Sequence, residues 1–270
     1  MILTFAAPDG PVALSVDDAR LAGPLGRLFP THANGGPACP ATASVAVAVR
    51  TTPEGFTIDA GGARASCRSF ADLLGSVEFA LSEALLARSS GHVRLHAAGA
   101  EVRGRAVLAL GSGGAGKSTL AYAWQHRGFL AYGDDVVLVD RAGTVQPFPR
   151  LFKLDPAAIE AMGGDVETTP FWEFGWDEAW FDPAAAAGWG APARPAVVAV
   201  VRYRDGAPYR ARALRRHEVL AALLSSRVPP VGTPEQDVAT LASVTEAAVG
   251  LEVEFGNACE AARRLAEEVG

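Results

Sequence analysis

The chain has 270 residues, enough for one large domain or two small ones. Hydrophobic residues make up 49% and charged residues 20%, a balance that supports a sizeable core and argues against disorder. The formal charge of -6 argues against the cationic face that nucleic-acid binding needs, and no apolar run reaches the ~20 residues that span a bilayer, so neither nucleic acid nor membrane is expected as a partner. Cys39, Cys67 and Cys259 are far apart and form no CxxC pair, so no disulfide framework is expected. The opening MILTFAAPDGP lacks the basic-then-apolar pattern of a secretory signal, and a cytoplasmic location is the expectation.

In chain order, residues 22 to 40 are rich in Gly and Pro and read as loop. Residues 44 to 50 and 55 to 60 read as strands of a hairpin. Leu73, Leu74, Val77, Leu81, Leu85 and Leu86 recur at helical spacing over residues 70 to 88, with Ser69 as N-cap. Residues 93 to 102 read as extended, and residues 105 to 110 as a buried strand. A Gly-rich loop follows, then a helix from about Lys117 to Arg127 that Gly128 stops. Strands are expected at 129 to 132, 136 to 140 and 144 to 148, the last two joined by a turn at Ala142-Gly143. The aromatic stretch 171 to 182 would place Trp172, Trp176 and Trp180 on one side if it were helical; it reads either as an acceptor-binding wall or as core packing. A strand at 196 to 203, helices near 216 to 226 and 235 to 248, a strand at 251 to 255 and a helix at 257 to 269 complete the chain. The order of elements gives an α/β fold, with residues 1-90 as a small α+β N-terminal region and residues 91-270 as the main domain.

Residues 111 to 118 (Gly111, Ser112, Gly113, Gly114, Ala115, Gly116, Lys117, Ser118) fit the pattern G-x-x-x-x-G-K-[ST]. Chance would produce this pattern roughly 0.002 times in a chain of this composition. Glycines let the backbone curl so that successive N–H groups point at phosphate oxygens, and the following helix offers its positive end to the same anion. In such a loop Lys117 reaches the β- and γ-phosphates and the Ser118 hydroxyl binds Mg²⁺, with Thr119 completing the nucleotide contacts. Of the 24 Lys and Arg, only Lys117 and Lys153 are lysines.

A nucleotide-binding loop needs an acid at a neighbouring strand end to anchor its metal. Asp134 and Asp135 follow the strand at 129 to 132 and Gly133; one can face the metal while the other faces a phosphoryl acceptor.

The segment LHAAGAEVRGRAVLALGSGGAGKSTLAYAWQHRGFLAYGDDVVLVD resembles the HPr serine kinase/phosphorylase superfamily, and within it the smaller HPr-kinase-related proteins that include kinases of lasso-peptide gene clusters. His96 lies 15 residues before Gly111 and Asp135 lies 17 after Ser118, which is similar to the family's spacing. The resemblance covers residues 94 to 140 and extends more loosely to about 155 through PFPRLFKL. It implies a P-loop HPr-kinase-like core of mixed sheet with flanking helices. It implies ATP and Mg²⁺ as cofactors and a catalytic set of His96, Lys117, Asp134 and Asp135. Asp135 would accept the hydroxyl proton and Asp134 would join Ser118 on the metal, although the two aspartates could exchange roles. The chain lacks the family's E-x-R-G-x-G pattern, Glu160 in AAIEAMGG being a faint echo, so neither phosphorylase activity nor HPr as substrate is implied.

Arg150 and Lys153 are candidates for substrate or nucleotide phosphate contacts, or a solvated pair. An arginine reaching the γ-phosphate could come from Arg202, Arg204, Arg210, Arg212, Arg215 or Arg216. The function expected is a kinase that phosphorylates a hydroxyl, first a serine of a peptide or protein. A small-molecule kinase of the same fold and a non-catalytic nucleotide-binding module are the alternatives. A homo-oligomer stays open.

Overall fold

The computed structural model describes residues 1–29, 45–162, 179–229 and 233–270. The described residues up to Gly91 form one compact unit, and those from His92 onward form a second.

The first unit is a five-stranded sheet with one long helix. Its strands are β1 (Ile2–Phe5), β2 (Val12–Val16), β3 (Val45–Thr52), β4 (Gly55–Ala60) and β5 (Ala63–Cys67), hydrogen-bonded in that order. Strands β2 and β3 run parallel and the other neighbours antiparallel. A short helix α1 (Ala22–Arg27) follows β2. The sequence predicts loop there because Gly23, Pro24 and Gly26 mask the pattern; burial of Ala22 and Leu25 outweighs their poor helix propensity. Residues 30 to 40 of that predicted loop, including Cys39, lie outside the described residues. Helix α2 (Phe70–Ala87) starts where its sequence says: the Ser69 hydroxyl accepts from Asp72 N–H and the Asp72 carboxylate accepts from Ser69 N–H. Its six predicted apolar positions are all buried.

The second unit is α/β with an eight-stranded mixed sheet. Its elements begin with β6 (His92–Val102), β7 (Arg105–Leu110), α3 (Lys117–His126), β8 (Leu130–Gly133), β9 (Val136–Asp140) and β10 (Val145–Gln146). Next come β11 (Phe152–Leu154), α4 (Pro156–Ala161), β12 (Ala179–Phe181), β13 (Pro195–Tyr203) and β14 (Arg210–Ala213). Helices α5 (Arg216–Ser225) and α6 (Pro234–Ala247), strand β15 (Val249–Phe255) and helix α7 (Ala258–Glu267) close the chain. The sheet order is β10-β9-β6-β7-β13-β15-β14, with β8 also on β6. Strand β13 is parallel to β7 and β15; the remaining pairs are antiparallel.

Alternation along the strands assigns the two faces. Val107 and Ala109 of β7, with Ala98 and Ala100 of β6, pack on Leu120 of α3 and Ala261 and Leu265 of α7. Ala106, Leu108 and Leu110 of β7, with Leu95 of β6, pack on Val219 and Leu223 of α5 and Leu241 and Val244 of α6. Helices therefore cover both faces, which is why β7 reads as a continuous apolar run. None of the described helices is long and apolar enough to cross a membrane.

Some predicted strands differ in extent. Over 144 to 148 only Val145–Gln146 pairs, because Pro147 and Pro149 have no N–H to give a ladder. Strand β14 is fully exposed and alternates Arg with Ala, so it carries no apolar pattern to read; it forms by pairing with the edge of β15. Of the aromatic stretch, residues 171 to 178 with Trp172 and Trp176 lie outside the described residues, while Ala179–Phe181 pair with β11 as a strand and Trp180 is buried.

Candidate functional site

The loop 111 to 116 leaves the C-terminal end of β7 and turns into α3. Its glycines are required by geometry. A Cβ on Gly111 would lie 2.8 Å from both Val201 O and Ala115 Cβ. Gly116 has φ +87, and a Cβ there would lie 2.9 Å from Phe255 Cζ and 3.0 Å from Tyr203 Cβ. The turn is braced from the next strand, where Tyr203 N–H donates to Ala115 C=O at 3.0 Å. Within the loop, Ala115 N–H donates to Ser112 C=O at 3.2 Å, whereas the amides of Gly113, Gly114 and Gly116 have no partner among the described residues. Those amides and the opening turn of α3 form an anion-binding concavity.

Lys117 is buried, and its ammonium donates to Gly111 C=O at 2.8 Å and Ser112 C=O at 3.0 Å. Two of its three donors hold the loop, which leaves a third for a ligand. Burial lowers the Lys117 pKa, and the charges of Asp135 and Asp134 oppose that shift.

The aspartates occupy the bend between β8 and β9, both of which pair with β6. Gly133 permits the bend: a Cβ there would lie 2.2 Å from Val136 O. The two carboxylates differ in environment. Asp134 is buried; its Oδ2 accepts Lys153 N–H at 3.2 Å, and its Oδ1 lies 3.6 Å from Arg150 Nη2. Burial pushes its pKa up to about 6 despite the Arg150 charge. Asp135 is half-exposed. Its Oδ1 lies 2.8 Å from His96 Nδ1, and its Oδ2 accepts from Arg150 Nη2 at 3.0 Å. The hydrogen bond from His96, aided by the Arg150 charge, holds its carboxyl well below the usual carboxylate range. His96 itself is placed by β6: its N–H donates to Ser226 C=O at 2.6 Å, while Ala97 N–H donates to Asp135 C=O at 3.0 Å.

Two cavities flank the loop. One, of about 490 Å³, is lined by Gly114 to Thr119, by Lys153 and Asp155, and across from them by Tyr203 and Asn257. The other, of about 480 Å³, is lined by His96, Leu110, Gly111, Ser112, Val200 and the end of α5. A smaller cleft of about 260 Å³ carries Arg202 beside Gly111 to Ala115.

The structure brings together His96, Lys117, Asp134, Asp135 and the loop residues Gly111 to Thr119. Arg150 and Lys153 separate. Arg150 bridges the two aspartates, whereas Lys153 lines the larger cavity with its ammonium 5.0 Å from the Trp180 ring centroid. Arg212 pairs with Glu252 and Arg215 with Glu218 at the exposed edge, and Arg202 lines a cleft at the loop. Sequence reasoning missed Tyr203 and Asn257, which arrive from the ends of β13 and β15 with no local motif. It also missed Ser226, whose only mark is its register opposite His96.

Among the described residues no three His, Cys, Asp or Glu converge on a metal position. The oxygen donors Ser118 and Asp134 fit a hard cation that completes its shell with phosphate and water, as Mg²⁺ does. The observation that supports the fit is the burial of the Asp134 carboxylate with one backbone N–H at 3.2 Å and its nearest guanidinium nitrogen at 3.6 Å, beyond hydrogen-bond distance. No protein-family model matches the chain, and no curated protein matches it.

Proposed function

We propose that the protein is an ATP-dependent kinase that transfers the γ-phosphoryl group to a hydroxyl, first a serine of a peptide or protein, on an HPr-kinase-like P-loop core. The observation that carries this reading is the His96–Asp135–Arg150–Asp134 set, joined by contacts of 2.8 to 3.6 Å, with His96 lining a cavity together with Gly111 and Ser112 of the phosphate-type loop. The resemblance of residues 94 to 140 to that superfamily, carried by these same residues, agrees with it.

The loop amides and Lys117 hold the β- and γ-phosphates. Ser118 and Asp134 hold Mg²⁺, which when bound neutralises charge developing on the phosphate oxygens. Asp135 orients the acceptor hydroxyl and takes its proton. A late proton transfer asks little of the carboxylate's basicity, and His96 fixes its position at 2.8 Å.

Asp135→Asn keeps the shape of the site and removes the base. The expected result is nucleotide affinity within about threefold of the parent and a transfer rate lower by about 10²–10⁴. Calorimetry with Mg·ATP and a phosphoryl-transfer assay measure the two. Transfer at the parent's rate would remove Asp135 from the chemistry.

A further inference from the structure

Among the described residues, the two larger cavities at the phosphate-type loop have different linings, and His96, the hydrogen-bond partner of Asp135, lines one of them. The cavity with Ser118, Thr119, Tyr203 and Asn257 touches the loop's helical half, whereas the other touches its first residues, Gly111 and Ser112, and reaches His96. Lys117 spans the two by bonding the Gly111 and Ser112 carbonyls from the first turn of α3.

The second cavity is lined on one side by the C-terminal end of α5, with Ala222, Ser225, Ser226 and Arg227. Residues 226 to 228 run antiparallel to β6: His96 N–H donates to Ser226 C=O, and Val228 N–H donates to Arg94 C=O. This fixes the end of α5 beside His96. The cavity's α5 side leans towards hydrogen-bond acceptors, while the neighbouring cations are engaged elsewhere: Lys117 by the Gly111 and Ser112 carbonyls and Arg150 by Asp135. The Ser225 hydroxyl donates to Ala221 C=O at 2.8 Å and the Ser226 hydroxyl to Ala222 C=O at 2.9 Å, so both present lone pairs. The helix end adds the negative pole of its dipole. Arg227 is the lining cation, and its guanidinium is engaged by Asp237 at 3.1 Å and by Leu224 C=O at 3.1 Å. The other walls are Leu110 and Val200. Net charge of -6 acts in the same sense on an approaching ligand.

We propose that this cleft is the acceptor site, and that it selects a hydroxyl compound whose neighbouring groups are hydrogen-bond donors or cations rather than carboxylates. The inference rests on the kinase reading and narrows its substrate. The acceptor oxygen, in the cleft lined by His96 and Ser112, bonds to the γ-phosphorus. The bond from phosphorus to the β,γ-bridging oxygen breaks, ADP leaves with that electron pair, and the hydroxyl proton passes to Asp135. A donor-rich hydroxyl can belong to a basic peptide or to a polyol.

The test is transfer from Mg·ATP to three probes: a serine peptide flanked by lysines, its glutamate-flanked counterpart, and glycerol. Parent protein is compared with Ser225→Trp, which fills the cleft, and with Ser225→Arg, which reverses its polarity from an exposed position. The parent is expected to phosphorylate the lysine-flanked peptide or glycerol at least tenfold better, in kcat/KM, than the glutamate-flanked peptide; which of the two is preferred identifies the source of the hydroxyl. Both variants are expected to raise the acceptor KM at least tenfold and to leave the Mg·ATP Kd unchanged, the latter showing that each is folded. Preference for the glutamate-flanked peptide, or a parental acceptor KM in a variant that binds Mg·ATP, overturns the acceptor assignment while the kinase reading stands. Absence of transfer to every probe by a parent that binds Mg·ATP overturns both.

Discussion

Asp134 and Asp135 are adjacent in sequence and opposite in electrostatics. Asp135 gains a histidine and a guanidinium and stays ionised; Asp134 loses water and gains less, so its proton is held up to about 6. The sign of the consequence is fixed. A carboxyl that titrates at about 6 when folded and at 3.8 when unfolded binds more protons in the folded state between those values. Its contribution to stability is therefore greatest at low pH and falls as pH rises through that window, by about 3 kcal/mol in total. Without divalent metal, the drop in stability of the parent between pH 4 and pH 7 is expected to exceed that of Asp134→Asn. Urea denaturation in EDTA at several pH values measures it, and parallel stability profiles for the two proteins would contradict the assignment. The pair was legible as two acids after a strand. Their division of environment was not, because it depends on Arg150 and Lys153, 15 to 19 residues further on, folding back against the bend.

At the scale of elements, the strand–loop–helix unit was legible almost residue by residue. Its signals are local: an apolar run, glycines where a Cβ has no room, a lysine opening the helix. Gly116 shows how little freedom remains. Its left-handed backbone and the nearness of Phe255 and Tyr203 predict that Gly116→Val costs about 1–3 kcal/mol through backbone strain, with further loss from the ring contacts. It should also impair nucleotide binding, because the loop must move. An unchanged melting temperature in Gly116→Val would show that the loop is looser than this packing implies. Elements held by pairing rather than by pattern escaped the sequence. Strand β14 has no buried side chain, and β11 and β12 are three residues each, so their ladders supply what periodicity cannot announce. Helix α1 was hidden for the opposite reason, since glycine and proline signal a loop even where two buried side chains hold a helix.

At the scale of the molecule, sites form where the mixed sheet's parallel strands end. Strands β7, β13 and β15 run in one direction, so their C-terminal ends bring the loop, Tyr203 and Asn257 to one cavity. The antiparallel strands β6, β8 and β9 bring His96 and the aspartates to the same edge from the other side. Strand order was beyond the sequence, because pairings such as β7 with β13 join residues about ninety positions apart. The fold of residues 1 to 90 was only partly legible: their sheet includes β1 and β2, which are too short for a periodic signal. Both proposals for the protein depend on polyphosphate binding between residues 111 and 118. Titration calorimetry of purified protein with Mg·ATP, run beside Lys117→Ala, tests this most directly. The account predicts one site per chain in the parent and an affinity roughly ten- to a hundredfold weaker in Lys117→Ala, the worth of about 1.5–3 kcal/mol for a charged hydrogen bond. No heat of binding up to millimolar Mg·ATP, or equal affinity in the two proteins, would contradict it.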